Sequence, residues 1–301
     1  MAVASQAQGG LAVPEGRLAG LRRWLSGSLA DNRRFLVAVG LLALLLGFGF
    51  LGPMIFNVED PMDIVGGLYD EPSAEHWLGT DNFGRDVFTQ LMYGIRTSLT
   101  IGIIAGAVAT LLGILIGATA GYVGGVVEEA LMGLTNVVIT IPSIVILILL
   151  SIAVSTRSIF AMGLIIGVTS WPWTARAVRA QTSSLRTREH VDIARISGIS
   201  TFGLILWEII PYMLSYIVMA FVLQLSSSIL QEASLSMLGL GPSQVISLGI
   251  MLHWALLWES VRTGAWWAFV PPTLCLTLIA FSLLLLQSSI DEIFNPRLRR
   301  S

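Results

Sequence analysis

The sequence predicts an all-α integral membrane protein with six transmembrane helices, and three observations carry that prediction. Hydrophobic residues make up 54% of the chain and charged residues only 12%, against roughly 25% charge in ordinary soluble domains. Apolar runs such as residues 35–52 and 143–154 approach or contribute to the roughly 20 residues that cross a bilayer core. The basic residues, finally, gather in segments that six spans would place on one side of the membrane.

The first 34 residues are polar and lack a hydrophobic core followed by a small-residue cleavage site, so they read as a retained tail. Hydropathy then places spans at 35–56, 98–123, 131–154, 159–180, 212–235 and 267–290. Length carries these assignments, because lipid-facing and buried sides are both apolar and leave no helical period to read. The second span is rich in Gly and Ala, the composition that lets membrane helices approach closely.

Arginine sets the orientation. Arg17, Arg22, Arg23, Arg33 and Arg34 precede the first span, Arg176, Arg179, Arg186, Arg188 and Arg195 accompany the fourth span and the segment after it, and Arg297, Arg299 and Arg300 close the chain. The positive-inside rule makes that side cytoplasmic, with both termini on it. The loop after the first span is acidic, with Asp60, Asp63, Asp70, Glu71, Glu75, Asp81 and Asp86 among its residues. Trp254, Trp258, Trp266 and Trp267 precede the last span, as interfacial aromatics do.

Several function classes are excluded or disfavoured. A net charge of −2 gives no reason to expect nucleic-acid binding, and a lone Cys275 permits no intrachain disulfide. The chain has no lysine, so it offers neither the phosphate-binding Lys of a P-loop nor a Schiff-base Lys. His76, His190 and His253 do not fall at metal-ligand spacings. No Ser-His-acid or Gly-x-Ser-x-Gly pattern is present. The expectation is a chain with no catalytic residue, metal or cofactor.

One polar interruption stands out between the fourth and fifth spans, REHVDIARISGISTFGLILWEIIP. Residues 188–196 favour a short helix, and Gly198 supplies a left-handed residue to stop it. Ser200 or Thr201 can cap a second helix, and Pro211 suits the elbow into the fifth span. On physical grounds alone the stretch reads equally as a solvated loop or as a two-helix docking element.

These residues resemble the cytoplasmic loop of ABC-importer membrane subunits, roughly E-A-A, three residues, Gly, nine residues, then I-x-L-P. The matching positions are Asp192-Ile193-Ala194, Gly198 and Glu208-Ile209-Ile210-Pro211. Asp stands for Glu, Ile for the first Ala, and Glu208 where an aliphatic or polar residue is usual. HWLGTDNFGRDVFTQLMYGIRTSL at 76–99 is similar to a segment of the second permease in dipeptide, oligopeptide and nickel importers. AGYVGGVVEEALM, QEASLSMLGLG and the terminal NPRLR follow in that family's order.

The resemblance implies a type I ABC-importer transmembrane fold in a bacterial or archaeal cytoplasmic membrane. It divides the chain into a cytoplasmic tail (1–34), a first helix with an extracytoplasmic segment (35–97), a five-helix permease core (98–290) and a carboxyl-terminal tail (291–301). Within the core, a coupling loop at about 181–211 would seat Glu189, Asp192, Ala194, Gly198, Glu208 and Pro211 against an ATPase. The implied partners are a second, nonidentical permease subunit, two ATPase subunits that hold ATP and Mg, and an extracytoplasmic substrate-binding protein.

Two further groups of residues are candidates. Glu232, the one acid within a span, is expected near its outer end where water reaches it, with Gln224 two turns below; intramembrane acids are functional by default. They line a pathway, pack helices or, in a rival reading, serve a proton-coupled secondary transporter. Gly79, Asp81, Gly84, Arg85 and Asp86 are expected to form a polar turn capping the second helix, with receptor contact as the alternative, and Arg85 can be neutralised locally by the acids beside it. The family moves short peptides, nickel chelates and oligosaccharides; peptides are the first expectation, and the Trp-rich segment keeps sugars second.

Overall fold

A backbone immersed in hydrocarbon must satisfy its N–H and C=O groups within its own segment, and the chain is helical accordingly. The computed structural model describes residues 32–294 apart from Glu59, Ser155 and Thr156. The amino-terminal tail up to Asp31 and the segment from Asn295, with its NPRLR motif and arginines, lie outside the described residues.

The elements in chain order are α1 (Arg33–Ile55), α2 (Val87–Val123), α3 (Gly125–Thr140), α4 (Ser143–Ala153), α5 (Ile159–Leu185), α6 (Glu189–Ile196), α7 (Thr201–Leu240), α8 (Leu248–Leu257) and α9 (Val270–Phe294). Among the described residues the only β-structure is a pair of isolated bridges, Ile64 with Arg85 and Thr80 with Asp86. Among the described residues four helices are long and apolar enough to cross a bilayer, and the bent α3–α4 pair makes five if it counts as one span. α5 is 27 residues long, but Thr169-Ser170-Trp171-Pro172 and Arg176 make it less apolar than the others.

Three expectations need correction. The second span begins at Val87, not residue 98, because Asp86 caps it and Thr89, Gln90 and Ser98 are buried against protein rather than left in lipid. The third span is broken between Thr140 and Ser143, with an 86° bend. Pro142 causes this: it pushes the preceding residue toward extended backbone, and Ile141 sits at φ −89°, ψ 125°. The helix that starts at Thr201 does not end at Pro211. It runs through as one 40-residue helix, because a π turn (Leu204–Ile209) and a 3-10 turn (Ile210–Met213) absorb the missing N–H.

Packing centres on α2 and α5, which make the most extensive helix contact. Gly113 faces Thr174, Gly117 faces Val178 and Gly121 faces Thr182, while Gly163 and Gly167 of α5 face Ile104 and Val108. The residue numbers rise together, so α2 and α5 run parallel and the chain returns between them through α3 and α4. α7 runs antiparallel to α2, with Gly102 against Ile229 and Gly106 against Leu225.

The closeness of that contact is testable. A Cβ at Gly117 would stand 2.9 Å from Val178 Cβ and 3.0 Å from Arg179 N, whereas one at Gly133 meets nothing within 4 Å. Overpacking a tight contact costs about 1–3 kcal/mol, and Gly→Ala at an open helical site is neutral or favourable. Gly117→Ala is expected to lower the melting temperature in detergent and Gly133→Ala to leave it or raise it; equal melting temperatures would refute the close approach.

Candidate functional site

The polar interruption folds as a hairpin of α6 and the first turns of α7. Arg188 is extended ahead of α6, Glu189 and Asp192 lie in its first turn and Arg195 in its last, charges that complement the helix dipole. Gly198 adopts φ +85°. Its N–H donates to the Arg195 carbonyl at 3.1 Å and the Ile199 N–H to the Ala194 carbonyl at 3.3 Å, a glycine stop for the helix. Ser200 then caps α7 by accepting from Gly203 N at 3.3 Å.

The hairpin is seated on the ends of α2 and α5. Val191 and Ala194 are buried with Ala118, Tyr122, Val178 and Leu185, and Leu204, Ile209 and Met213 of α7 complete the cluster. His190 stacks on Tyr212 at 4.2 Å, and Arg186 Nη1 donates to the Tyr122 carbonyl at 3.0 Å. Asp192 is already paired with Arg195 at 2.9 Å, both half-exposed. Glu208 is half-buried and Pro211 exposed.

The outward face of the hairpin carries residues that the sequence reading passed over. Ile196 is 87% exposed, Trp207 71%, and Ile193 and Phe202 are also exposed. Exposed apolar patches mark interaction surfaces. The signal was present: with Val191 and Ala194 buried, helical spacing turns Ile193 and Ile196 outward.

Glu232 is not where water reaches it; its exposure is 0%. One carboxyl oxygen accepts from Ser236 Oγ and Ser247 Oγ, each at 2.7 Å, and the other from Ser98 Oγ at 2.9 Å. Those serines belong to α7, the N-cap of α8 and α2, so one side chain joins three elements. Two turns away, Gln224 Nε2 donates to the Ser170 carbonyl at 2.8 Å and to Thr174 Oγ1 at 2.7 Å, binding α7 to α5.

Beside Gln224 opens a groove of about 710 Å³, walled by the α3–α4 bend, α5 and α7. Pro142, Trp173, Ser227, Gln231 and Ser234 line it, and among the described residues no charged side chain does. Gln231 accepts from Ser170 Oγ at 3.2 Å and donates to Ser227 Oγ at 3.0 Å.

The turn at the far end of α2 is a folded cap. Gly79 and Gly84 have positive φ. Asp81 accepts from the N–H groups of Phe83 and Arg85 and from Gln90 Nε2, at 2.8, 2.9 and 2.7 Å. Asp86 accepts from Thr89 N and Oγ1, each at 2.7 Å. Arg85 departs from expectation. Both neighbouring acids are occupied elsewhere, and its guanidinium lies 4.6 Å over the Phe83 ring. Trp267 is buried and donates to the Thr80 carbonyl at 3.0 Å, and Trp254 packs edge-on to Phe83; these two clamp the cap, while Trp258 and Trp266 remain half-exposed. Tyr69 bonds Ser260 Oγ at 2.9 Å, and burial pushes its hydroxyl pKa up.

Helices long enough to span a bilayer, a hairpin packed on the ends of two of them and a groove between helices define a multi-pass membrane component. Residues 109–300 match the family described as the binding-protein-dependent transport system inner membrane component. The chain is 31% identical over 280 residues to the dipeptide transport system permease protein DppC of Bacillus subtilis, covering 90% of this chain and 84% of that protein. It is 29% identical to the oligopeptide transport system permease protein OppC of Bacillus subtilis (90% and 88% covered). It is 28% identical to OppC of Mycobacterium tuberculosis (89% and 92% covered). The chain belongs to this family of inner-membrane transport components.

The Glu232 junction predicts a stability effect. Glu232→Ala leaves three buried serine hydroxyls to find new partners, at about 1–3 kcal/mol for each that fails. Glu232→Gln keeps two of the three acceptor contacts without moving the helices. The expected order of melting temperature is wild type, Gln, then Ala well below; an Ala variant as stable as wild type would remove the junction's structural role.

Proposed function

We propose that this chain is the permease subunit forming half of the translocation pathway of an ATP-driven importer of short peptides. Its partners in this reading are a second, nonidentical permease, two ATPase subunits and an extracytoplasmic substrate-binding protein. The observation that carries it is the hairpin: a glycine-stopped helix, packed rigidly on the ends of α2 and α5, turning Ile193, Ile196, Phe202 and Trp207 outward. Such a surface suits a groove on an ATPase, and Glu189, Asp192 and Arg195 at its rim suit recognition there. Ala194 serves as the seat, Gly198 as the hinge, and Glu208 and Pro211 lie along the entry to α7. ATP and Mg belong to the partner ATPases, since the chain has no lysine for the phosphates.

Peptide as substrate is supported by the relatives named above and by an uncharged groove edged with serine and glutamine, suited to backbone amides of any sequence. A proton-coupled transporter is disfavoured because Glu232 is sealed beneath three serines. Sugar transport loses support because Trp254 and Trp267 pack on protein.

The arginine distribution supports a cytoplasmic hairpin and an extracytoplasmic acid-rich end, and the parallel course of α2 and α5 supports six crossings in a bacterial or archaeal cytoplasmic membrane. With Cys275 replaced, single cysteines at the exposed positions Glu71 and Thr187 are expected to react with an impermeant thiol reagent from opposite sides. Reaction of both from one side would overturn this topology.

Gly198 tests coupling. A Cβ there meets nothing within 4 Å, so only its positive φ resists substitution. A β-branched residue would carry about 1–3 kcal/mol of local strain, which the hairpin relieves by changing its angle; Asn tolerates the same backbone. Gly198→Val is expected to reach the membrane normally but to lose receptor-stimulated ATP hydrolysis in the reconstituted assembly, and Gly198→Asn to retain most of it. Wild-type stimulation in the Val variant would refute the coupling role.

A further inference from the structure

The arginines away from the hairpin side number four: Arg85, Arg96, Arg157 and Arg262. Arg262 pairs with Glu259 at 2.8 Å, and Arg96 lies 5.6 Å over the Phe50 ring. Arg85 and Arg157 instead line one cavity of about 330 Å³ at the acid-rich end. They arrive from separate loops, before α2 and before α5, and most of the remaining wall comes from the end of α7, the segment joining it to α8, and α8 itself.

Neither arginine is paired with a described carboxylate. Arg157 Nη1 donates to the Gly239 carbonyl at 3.0 Å, and the Arg157 carbonyl accepts from Ser243 N at 2.7 Å. This fixes the residue in place while leaving most of its five N–H donors unused. Arg85 Nε is buried without a partner, a costly state for a charged group unless something arrives to bond it.

Among the described residues no acid lines the cavity. Asp81 and Asp86 are spent on the cap, and Glu232 lies behind Ser236, held by its three serines. His253 Nδ1 is bonded to the Met237 carbonyl at 2.9 Å, and Trp254 adds an apolar wall.

Two guanidinium forks in a concavity without acids are matched to a carboxylate, which arginine binds in a bidentate manner. The volume lies at the small end of ligand pockets, enough for the end of a ligand rather than all of it. We propose that this cavity binds a carboxylate, and that its source is the carboxyl terminus of an incoming peptide. The second half rests on the peptide reading above; the first half does not. A terminal carboxylate is the one negative charge that every unblocked short peptide carries, and an uncharged groove beyond it would leave side chains unread.

The assembled transporter, with its partner subunits, is the object of the test, in wild type, Arg85→Gln, Arg157→Gln and the ion-paired control Arg262→Gln. The fluorine NMR line of trifluoroacetate is expected to broaden with wild type and the control, and to lose part of that broadening in each cavity variant. Broadening equal in all four would overturn the carboxylate site. Uptake is then measured for one peptide as free acid and as carboxyl-terminal amide, each corrected for its affinity to the isolated binding protein. Wild type is expected to favour the acid by roughly tenfold or more, as loss of a charged hydrogen bond implies, and the cavity variants to bring that ratio toward one. Variants that slow both peptides equally would show a structural role and overturn the assignment to the peptide terminus. Should wild type take up neither peptide, the peptide reading fails, while the NMR comparison still decides the carboxylate site.

Discussion

Lipid offers no hydrophobic force to press one helix on another, so membrane helices associate through close fit and a few polar bonds. In this chain the fit is concentrated where α2 and α5 approach through Gly113, Gly117 and Gly121. What is packed there positions everything else. Thr174, the neighbour of Gly113, is also an acceptor for Gln224, so the same contact places α7 and the groove. Tyr122 and Leu185, at the ends of the same two helices, form the floor beneath the hairpin. A hairpin whose buried face is Val191 and Ala194 cannot tilt without disturbing that floor, which is the property the coupling role proposed above requires.

Polar side chains in the apolar interior serve as connectors. Glu232 and Gln224 each hold segments distant in sequence, Asp81 ties its own turn to the start of α2, and each has its acceptors or donors matched at hydrogen-bond distance. A buried polar group without such partners costs more than its bond contributes, so these positions fix which turn of one helix meets which turn of another. Arg85 departs from these connectors: its Nε is buried without a partner, as are a few neutral polar atoms such as Asn82 Nδ2 and Ser228 Oγ.

How much of this was legible in the sequence depends on the kind of signal. Spans were readable from length and apolarity, and the glycine stop at Gly198 from its place between a short helix and a capping serine. The early start of α2 was not, because Thr89, Gln90 and Ser98 look polar to a hydropathy scale and only their burial against other helices makes them compatible with a helix there. The α3–α4 break was legible at Pro142 and hidden by the strength of the flanking apolar runs. Pro211, read as the elbow into the fifth span, is accommodated by a π turn before it and the 3-10 turn that contains it. Charge was the least legible quantity: adjacency in sequence suggested that Asp81 and Asp86 neutralise Arg85, but backbone N–H groups and Gln90 claim Asp81, and the start of α2 claims Asp86.

The two ends of the molecule are joined by single helices. α7 begins in the hairpin, passes the groove at Gln224 and Gln231, and reaches the serine-bound Glu232 before Gly239 stops it at the arginine cavity. Its 40 residues amount to roughly 60 Å of helix. α2 makes the same passage in the opposite sense, from the Asp86 cap past Ser98 to Tyr122. Because Glu232 bonds to both helices and to α8, the far end resists sliding of α7 against α2, while the irregular turns between Leu204 and Met213 lie nearest the hairpin. Compliance is therefore placed at the hairpin end and stiffness at the other. Under the coupling role proposed above, a push on the hairpin would meet its softest response in those turns and reach the groove as a rotation or bend of α7, not as a rigid slide through the bundle.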